Sequence, residues 1–412
     1  MVAEILAVGT EILLGDILNS NAQFLSQELA KLGIEVYRQA VIGDNAKRLK
    51  KAFEDAFEKA DLVITTGGLG PTDDDITKEV GAEYFGKELE YSDEALAHLD
   101  KYFAKRGRKM AESNLKQALM PVGCTQLKND NGTAFGCIME ENGKMLVMLP
   151  GPPNETIPMF ENEVLKILKA KQTHTFVSKT LHLCGIGESD AAERIRELMA
   201  ESTNPTIAPY AKTGEMLFRI TASAENEDAA FAAIEPVKNK IYEELGEYIY
   251  GEDDKTIAQA VLDLLKEKGM TVSTAESCTG GRLADMFVSC PGASESFKNG
   301  FITYASESKV KLLGVSSETI EKYNVVSKET AREMAECCAK VSQTDTALSV
   351  TGIAGPDGGT PERPVGLVYI GIYVNGETEI KKLNIMGSRS KIRDYAAHSA
   401  VTALWQKLKN TK

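Results

Sequence analysis

The sequence predicts an α/β protein built from two doubly wound α/β domains joined by a small α+β unit. Three observations carry this. Strand-like and helix-like segments alternate over the first 170 residues. A buried-strand pattern, Asp61-Leu-Val-Ile-Thr-Thr66, runs directly into Gly67-Gly68-Leu69-Gly70-Pro71. Farther along, an apolar stretch ending at Ser273 runs into Thr274-Ala-Glu-Ser-Cys-Thr-Gly-Gly281. Strands alternating with helices imply parallel sheets covered on both faces, and glycine turns at strand ends mark the edge where such sheets bind ligands.

In order, Ala3–Val8 reads as a strand, 21–32 as a helix, 34–41 as a strand and 46–59 as a helix, followed by the 61–66 strand. Segments 135–140 and 144–149 form a hairpin through Asn142-Gly143, the strongest two-residue turn signal. A helix after Pro153 closes a first domain over 1–170. A small unit over 171–251 reads strand, helix, strand, helix, at 175–183, 188–199, 215–222 and 227–245, and Gly251-Glu-Asp-Asp254 reads as a domain joint. The rest, 252–412, again alternates, with strands near Phe301, Ala347 and Leu367 and a last helix from Ser388 to Leu408.

At 412 residues the chain is too long for one ordinary core. Its net charge of −13 argues against general binding to nucleic acid or anionic membranes. No apolar run approaches a membrane span and Met1-Val-Ala-Glu lacks signal-peptide character, so a cytoplasmic location is expected. The seven cysteines show no CxxC spacing and read as reduced thiols. The four histidines, His98, His174, His182 and His398, show no two-ligand spacing, so a hydrolytic base is expected among Lys, Tyr, Asp, Glu or a metal hydroxide.

Two sites stand out. In the first, Thr65, Gly67, Gly68 and Gly70 let backbone approach a phosphate, while Asp73, Asp74 and Asp75 offer hard oxygen ligands to a divalent cation. An anion beside three carboxylates calls for a metal between them; otherwise one aspartate caps the next helix and the others are solvated. Glu11, Asp16, Asn19 and Asn21, leaving the first strand, and Gly151 in a proline-stiffened loop are expected at the same sheet edge. In the second, Ser277 is a candidate nucleophile and Lys309 a candidate base aided by Tyr304. The lysine acts as a base only if burial or nearby positive charge lowers its pKa; otherwise it solvates a helix face. Backbone N–H groups over Cys278, Thr279, Gly280 and Gly281 are candidate oxyanion donors. Thr351, Gly352, Gly355, Gly358 and Gly359 would form an anion cradle, and Arg389 adds positive charge at the start of the last helix. Cys278 is an alternative nucleophile, and Glu276 reads either as a surface residue or as a partner of the base.

The first site's strings resemble the molybdenum-cofactor-biosynthesis fold as it occurs at the N-terminus of the CinA (competence/damage-inducible) family, and Thr274–Gly281 with Thr351-Gly-Ile-Ala-Gly-Pro-Asp-Gly-Gly359 resembles that family's C-terminal domain. The resemblance covers essentially the whole chain. It implies a metal-dependent ADP-ribose pyrophosphatase in the first domain, with 65–70 on the diphosphate and 73–75 at the metal. It implies a nicotinamide mononucleotide amidohydrolase without cofactor in the last. It also implies a KH-like middle unit, but Gly185-Ile-Gly187-Glu188-Ser-Asp190 carries acids where a nucleic-acid clamp carries basic residues, so a spacer or homodimer-forming role is expected. The alternative is a non-catalytic interaction protein tied to competence or DNA damage.

Overall fold

The structure is a computed structural model that describes residues 1–171 and 175–411. Thr173 and His174 lie outside the described residues. The chain divides into two compact units, Met1–Val177 with Ala222–Phe231, and Ser178–Thr221 with Ala232–Lys412.

The first unit is organised by strands β1 (Val2–Val8), β2 (Glu35–Ile42), β3 (Leu62–Thr66), β4 (Leu89–Tyr91), β5 (Leu119–Pro121), β6 (Thr125–Leu127), β7 (Gly136–Glu141) and β8 (Lys144–Leu149). Six of them form one sheet in the order β2-β1-β3-β8-β7-β6, and β4 pairs with β5 apart from it. The β1, β2, β3 and β8 pairings are parallel, while β7 and β6 add antiparallel. Central β3 is buried along its whole length, as a parallel strand covered on both faces must be. Its alternation sorts the core: Val63 joins Leu6, Leu146 and Phe53 on one face, and Leu62 and Ile64 join Ile5, Val147 and Phe160 on the other. The Asn142-Gly143 turn takes positive φ at both residues, 51° and 75°, closing the expected hairpin.

Next in the chain, β9 (Thr175–Leu183), β10 (Thr206–Lys212), β11 (Glu215–Ala224) and β12 (Ile249–Glu252) form a sheet in the order β10-β11-β9-β12. Sequence reading missed β10 and β12. Strand β10 contains Pro209, which lacks a ladder donor and is tolerated because β10 lies at the sheet edge. At the expected joint, 251–254, Asp253 N–H donates to Thr180 O at 2.8 Å and the Asp253 carboxylate meets Lys179 at 2.5 Å.

The last sheet comprises β13 (Val272–Glu276), β14 (Phe297–Ile302), β15 (Thr346–Gly352), β16 (Leu367–Val374) and β17 (Glu377–Asn384), in the order β14-β13-β15-β16-β17. Strand β13 runs parallel to both neighbours, whereas β16 and β17 are antiparallel, so this sheet too is mixed. One face packs Val350, Val368 and Ile370 against the Ile257–Glu267 and Arg389–Asn410 helices; the other packs Ala275 and Ala347 against Met334 and Cys338 of the Lys328–Ser342 helix. Central β13 is wholly buried, which fixes the point at which Ser277 leaves the sheet.

Candidate active site

Ser277 follows the last residue of β13, and its N–H donates to Val350 O on β15 at 2.9 Å. Lys309, in the helical stretch after β14, is 1% exposed. Its Nζ lies 3.1 Å from Ser277 Oγ, 2.6 Å from Thr303 O and 3.3 Å from Tyr304 O. Burial lowers the Lys309 pKa to about 8, with the Cys278 thiol acting in the opposite sense. The donor count follows. An ammonium fills all three contacts with N–H, whereas the neutral amine keeps two N–H for the carbonyls and turns its lone pair toward the serine hydroxyl. This is the arrangement a base requires.

Cys278 is buried, and burial pushes its thiol up to about 11, so a thiolate is disfavoured at neutral pH. Glu276 takes neither of the roles considered for it. Fully buried, it accepts from the N–H groups of Gly281 at 3.0 Å, Leu283 at 3.1 Å and Ala284 at 2.8 Å, folding the loop onto the Arg282–Val288 helix. Gly281 N–H is thereby removed from the oxyanion candidates, leaving those of Thr279 and Gly280 without an acceptor among the described residues. The Thr279 hydroxyl is buried and also has no partner among the described residues.

Two further expected residues are placed as follows. Tyr304 reaches Lys309 through its backbone carbonyl, while its 64% exposed side chain sets its hydroxyl 3.5 Å from Arg389. The Thr351 hydroxyl donates to Val325 O at 2.7 Å, so it braces a loop. Arg389 donates to Gly355 O at 2.6 Å and so joins the 355–359 loop, where Gly358 and Gly359 are exposed. Gly352 is packed so tightly that a Cβ would fall 2.7 Å from Val368. Sequence reading missed Arg393, which donates to Cys278 O at 2.9 Å and Thr279 O at 2.8 Å. Its position four residues after Arg389, on the same helix face, was the available signal.

In the first unit, Gly67 has φ 100° and its Cβ would fall 2.1 Å from Val8 O, so only glycine fits this turn. The loop carrying Gly151 closes on it, with a Gly151 Cβ position 3.6 Å from Gly67 Cα, and Asn21 Nδ2 donates to Gly151 O at 2.7 Å. The glycine turn, the Asn21 segment and the Gly151 loop therefore meet. Thr65 Oγ1 and Asn21 Oδ1 are buried without partners among the described residues, polar atoms suited to a ligand. Asn19, by contrast, caps the Ser20–Lys31 helix by accepting from Ala22 N–H at 3.2 Å, and Glu11 and Asp16 are exposed.

The expected metal residues are placed as follows. Among the described residues no group of three or more His, Cys, Asp or Glu is arranged to hold a metal ion. Asp75 closes its own turn, accepting from Thr72 N–H at 3.0 Å and from the Thr72 hydroxyl, and it leaves no space for a side chain at Gly70. Asp73, Asp74 and Asp16 are exposed. Two lysines unforeseen from sequence lie nearby. Lys116 donates to Thr72 O at 2.9 Å, and buried Lys78, its pKa lowered by desolvation, donates to Gln117 O at 2.8 Å.

Fold and sites together define a protein of mixed α/β architecture in which a molybdopterin-binding type of domain precedes a KH-like unit and a serine- and lysine-bearing α/β domain. Residues 4–170 match the probable molybdopterin binding domain, 178–251 the damage-inducible protein CinA KH domain and 254–408 the CinA C-terminal domain. The chain belongs to the CinA family. It is 52% identical to a putative competence-damage inducible protein of Clostridium acetobutylicum over 97% of this chain and 98% of that one. It is 53% identical to a CinA-like protein of Kosmotoga olearia over 97% of each. The solved structure of the protein CinA with unknown function from Thermoplasma acidophilum is 37% identical and covers 40% of this chain and 97% of its own, with a TM-score of 0.38. Among the described residues no helix is long and apolar enough to cross a membrane.

Proposed function

We propose that the C-terminal domain deamidates nicotinamide mononucleotide to nicotinate mononucleotide and ammonia, with Ser277 as nucleophile and Lys309 as base. The observation that carries this reading is the 3.1 Å approach of a buried lysine, its pKa lowered to about 8, to a serine at the end of β13. Ser277 Oγ attacks the carboxamide carbon as its proton passes to Lys309 Nζ. The carbon–nitrogen bond then breaks, and ammonia leaves with the proton Lys309 returns. Water, deprotonated by the same amine, cleaves the acyl ester and restores Ser277. Arg389, poised on the 355–359 loop, is the proposed anchor for the substrate phosphate. Ammonia release from nicotinamide mononucleotide by the purified chain, lost in Ser277→Ala with an unchanged melting temperature, is the test; undiminished release from that variant sinks the serine role.

For the first unit we propose binding and cleavage of ADP-ribose, its diphosphate over the Thr65–Gly70 turn. The unpartnered Thr65 Oγ1 and Asn21 Oδ1 support a polar ligand there. With no three-donor cage among the described residues, a divalent cation would arrive on the diphosphate, with Asp73 or Asp74 completing its shell, and would supply charge neutralisation and an activated water. Cleavage that persists undiminished in chelator excludes this.

A further inference from the structure

The loop between Ser277 and the Arg282–Val288 helix is held by two side chains of opposite charge. Glu276 takes the N–H groups of Gly281, Leu283 and Ala284, and Arg393 takes the carbonyls of Cys278 and Thr279. In a trans peptide the C=O of one residue and the N–H of the next point in opposite directions. With Cys278 O and Thr279 O both turned toward the Arg393 guanidinium, the N–H groups of Thr279 and Gly280 are turned away from it. Among the described residues those N–H groups meet no acceptor. Gly280 makes the arrangement possible twice over. Its φ of 58° lies in the left-handed region, and its Cβ would sit 3.0 Å from the same guanidinium.

We propose that Thr279 N–H and Gly280 N–H form the oxyanion pocket of the serine site and that Arg393 is its positioning residue, orienting the two peptide planes without touching substrate. The proposal rests on the hydrolase reading of Ser277 and sharpens it. An arginine suits the task because its planar fork reaches two adjacent carbonyls from one fixed geometry, which a lysine ammonium does not reproduce. The pocket is thus built by the last helix, 115 residues from the cysteine whose carbonyl it holds.

The test uses the full chain and two readouts. The first is turnover of nicotinamide mononucleotide. The second is the rate at which an alkyl phosphonofluoridate labels Ser277: the Oγ–P bond forms, fluoride leaves, the proton goes to Lys309, and the phosphoryl oxygen needs the same two N–H donors. In Arg393→Ala both kcat and labelling fall in parallel by roughly a hundredfold, the cost of losing such donors, while KM changes little and added methylguanidinium restores part of each. Arg393→Lys falls between wild type and Ala, and stands in as the variant if Ala does not fold. Wild-type labelling and turnover in either folded variant overturns the proposal. If the wild-type chain labels but releases no ammonia, the substrate reading fails while the role of Arg393 is still decided by labelling. If wild-type Ser277 does not label, both fall.

Discussion

Lys309 Nζ and Ser277 Oγ stand 3.1 Å apart in a setting that excludes water from the lysine, which is 1% exposed. A protonated lysine there keeps the serine hydroxyl as an acceptor, and a neutral one turns it into a donor. The pH dependence of deamidation follows. Below the lowered pKa of about 8 the base is mostly protonated, so kcat/KM for nicotinamide mononucleotide rises about tenfold per pH unit and levels off above about pH 8. A profile flat from pH 6 to 9 removes Lys309 as the base.

The same shift makes a statement about folding. The Lys309 pKa is about 8 in the folded chain and about 10.4 in an unfolded one, so between these values the unfolded state holds more protons and stability rises with pH. Below pH 8 both states are protonated and the full cost of burying the charge is felt. Lys309→Met lacks this term. Its melting temperature relative to wild type is therefore most favourable below pH 8, and the difference shifts toward wild type as pH climbs to 10. A difference independent of pH contradicts the assignment.

Tyr304→Phe separates the phenol from the backbone carbonyl. Lys309 uses Tyr304 O, which the variant keeps, whereas the hydroxyl lies 3.5 Å from Arg389. The expected outcome is a kcat within a factor of about three of wild type, well short of the hundredfold or more that a proton-transfer group supplies, with a raised KM through Arg389. A kcat loss of two orders of magnitude restores the tyrosine to the chemistry.

What was legible in the sequence was what lies within one strand-turn unit. Ser277 at the end of an apolar strand, Gly67 after β3 and the Asn142-Gly143 hairpin all carry local signatures. The hairpin between β16 and β17 carries the same signal at Asn375-Gly376, with φ 49° and 96°, but its second strand is a charged, half-exposed edge whose composition hides it. Side chains reaching in from distant elements were not legible. Arg393 meets the serine loop across 115 residues, and Lys78 meets Gln117 across 39. Nor does composition tell which polar atoms are already engaged: Thr351, Asp75 and Asn19 all look like ligands in one dimension, and each spends its oxygen on neighbouring backbone.

Glu276→Gln tests the loop from its other side. The carboxylate receives three N–H groups, and an amide replaces one acceptor oxygen with a donor facing them. Leaving a buried donor unsatisfied costs about 1–3 kcal/mol. The denaturation midpoint is expected to fall accordingly, with turnover reduced as the turn loosens. An unchanged midpoint means that the three bonds contribute little.

In the first unit, adjacent aspartates are expected to behave differently. Asp75 accepts from Thr72 and shapes the turn beside Gly70, so Asp75→Ala lowers the melting temperature of the chain with no nucleotide present. Asp74 is exposed, and although the Thr72 hydroxyl holds its carboxyl below the usual carboxylate range, that contact lies fully in solvent, so its replacement changes stability little. If Asp74 completes the shell of a cation carried on the diphosphate, Asp74→Ala instead raises the magnesium concentration needed for half-maximal ADP-ribose cleavage while the melting temperature stays put. Magnesium titrations of cleavage and thermal melts of the two variants decide this. A pair with identical behaviour in both assays contradicts the division of labour, and an Asp74→Ala variant with an unchanged magnesium requirement takes Asp74 out of the cation shell.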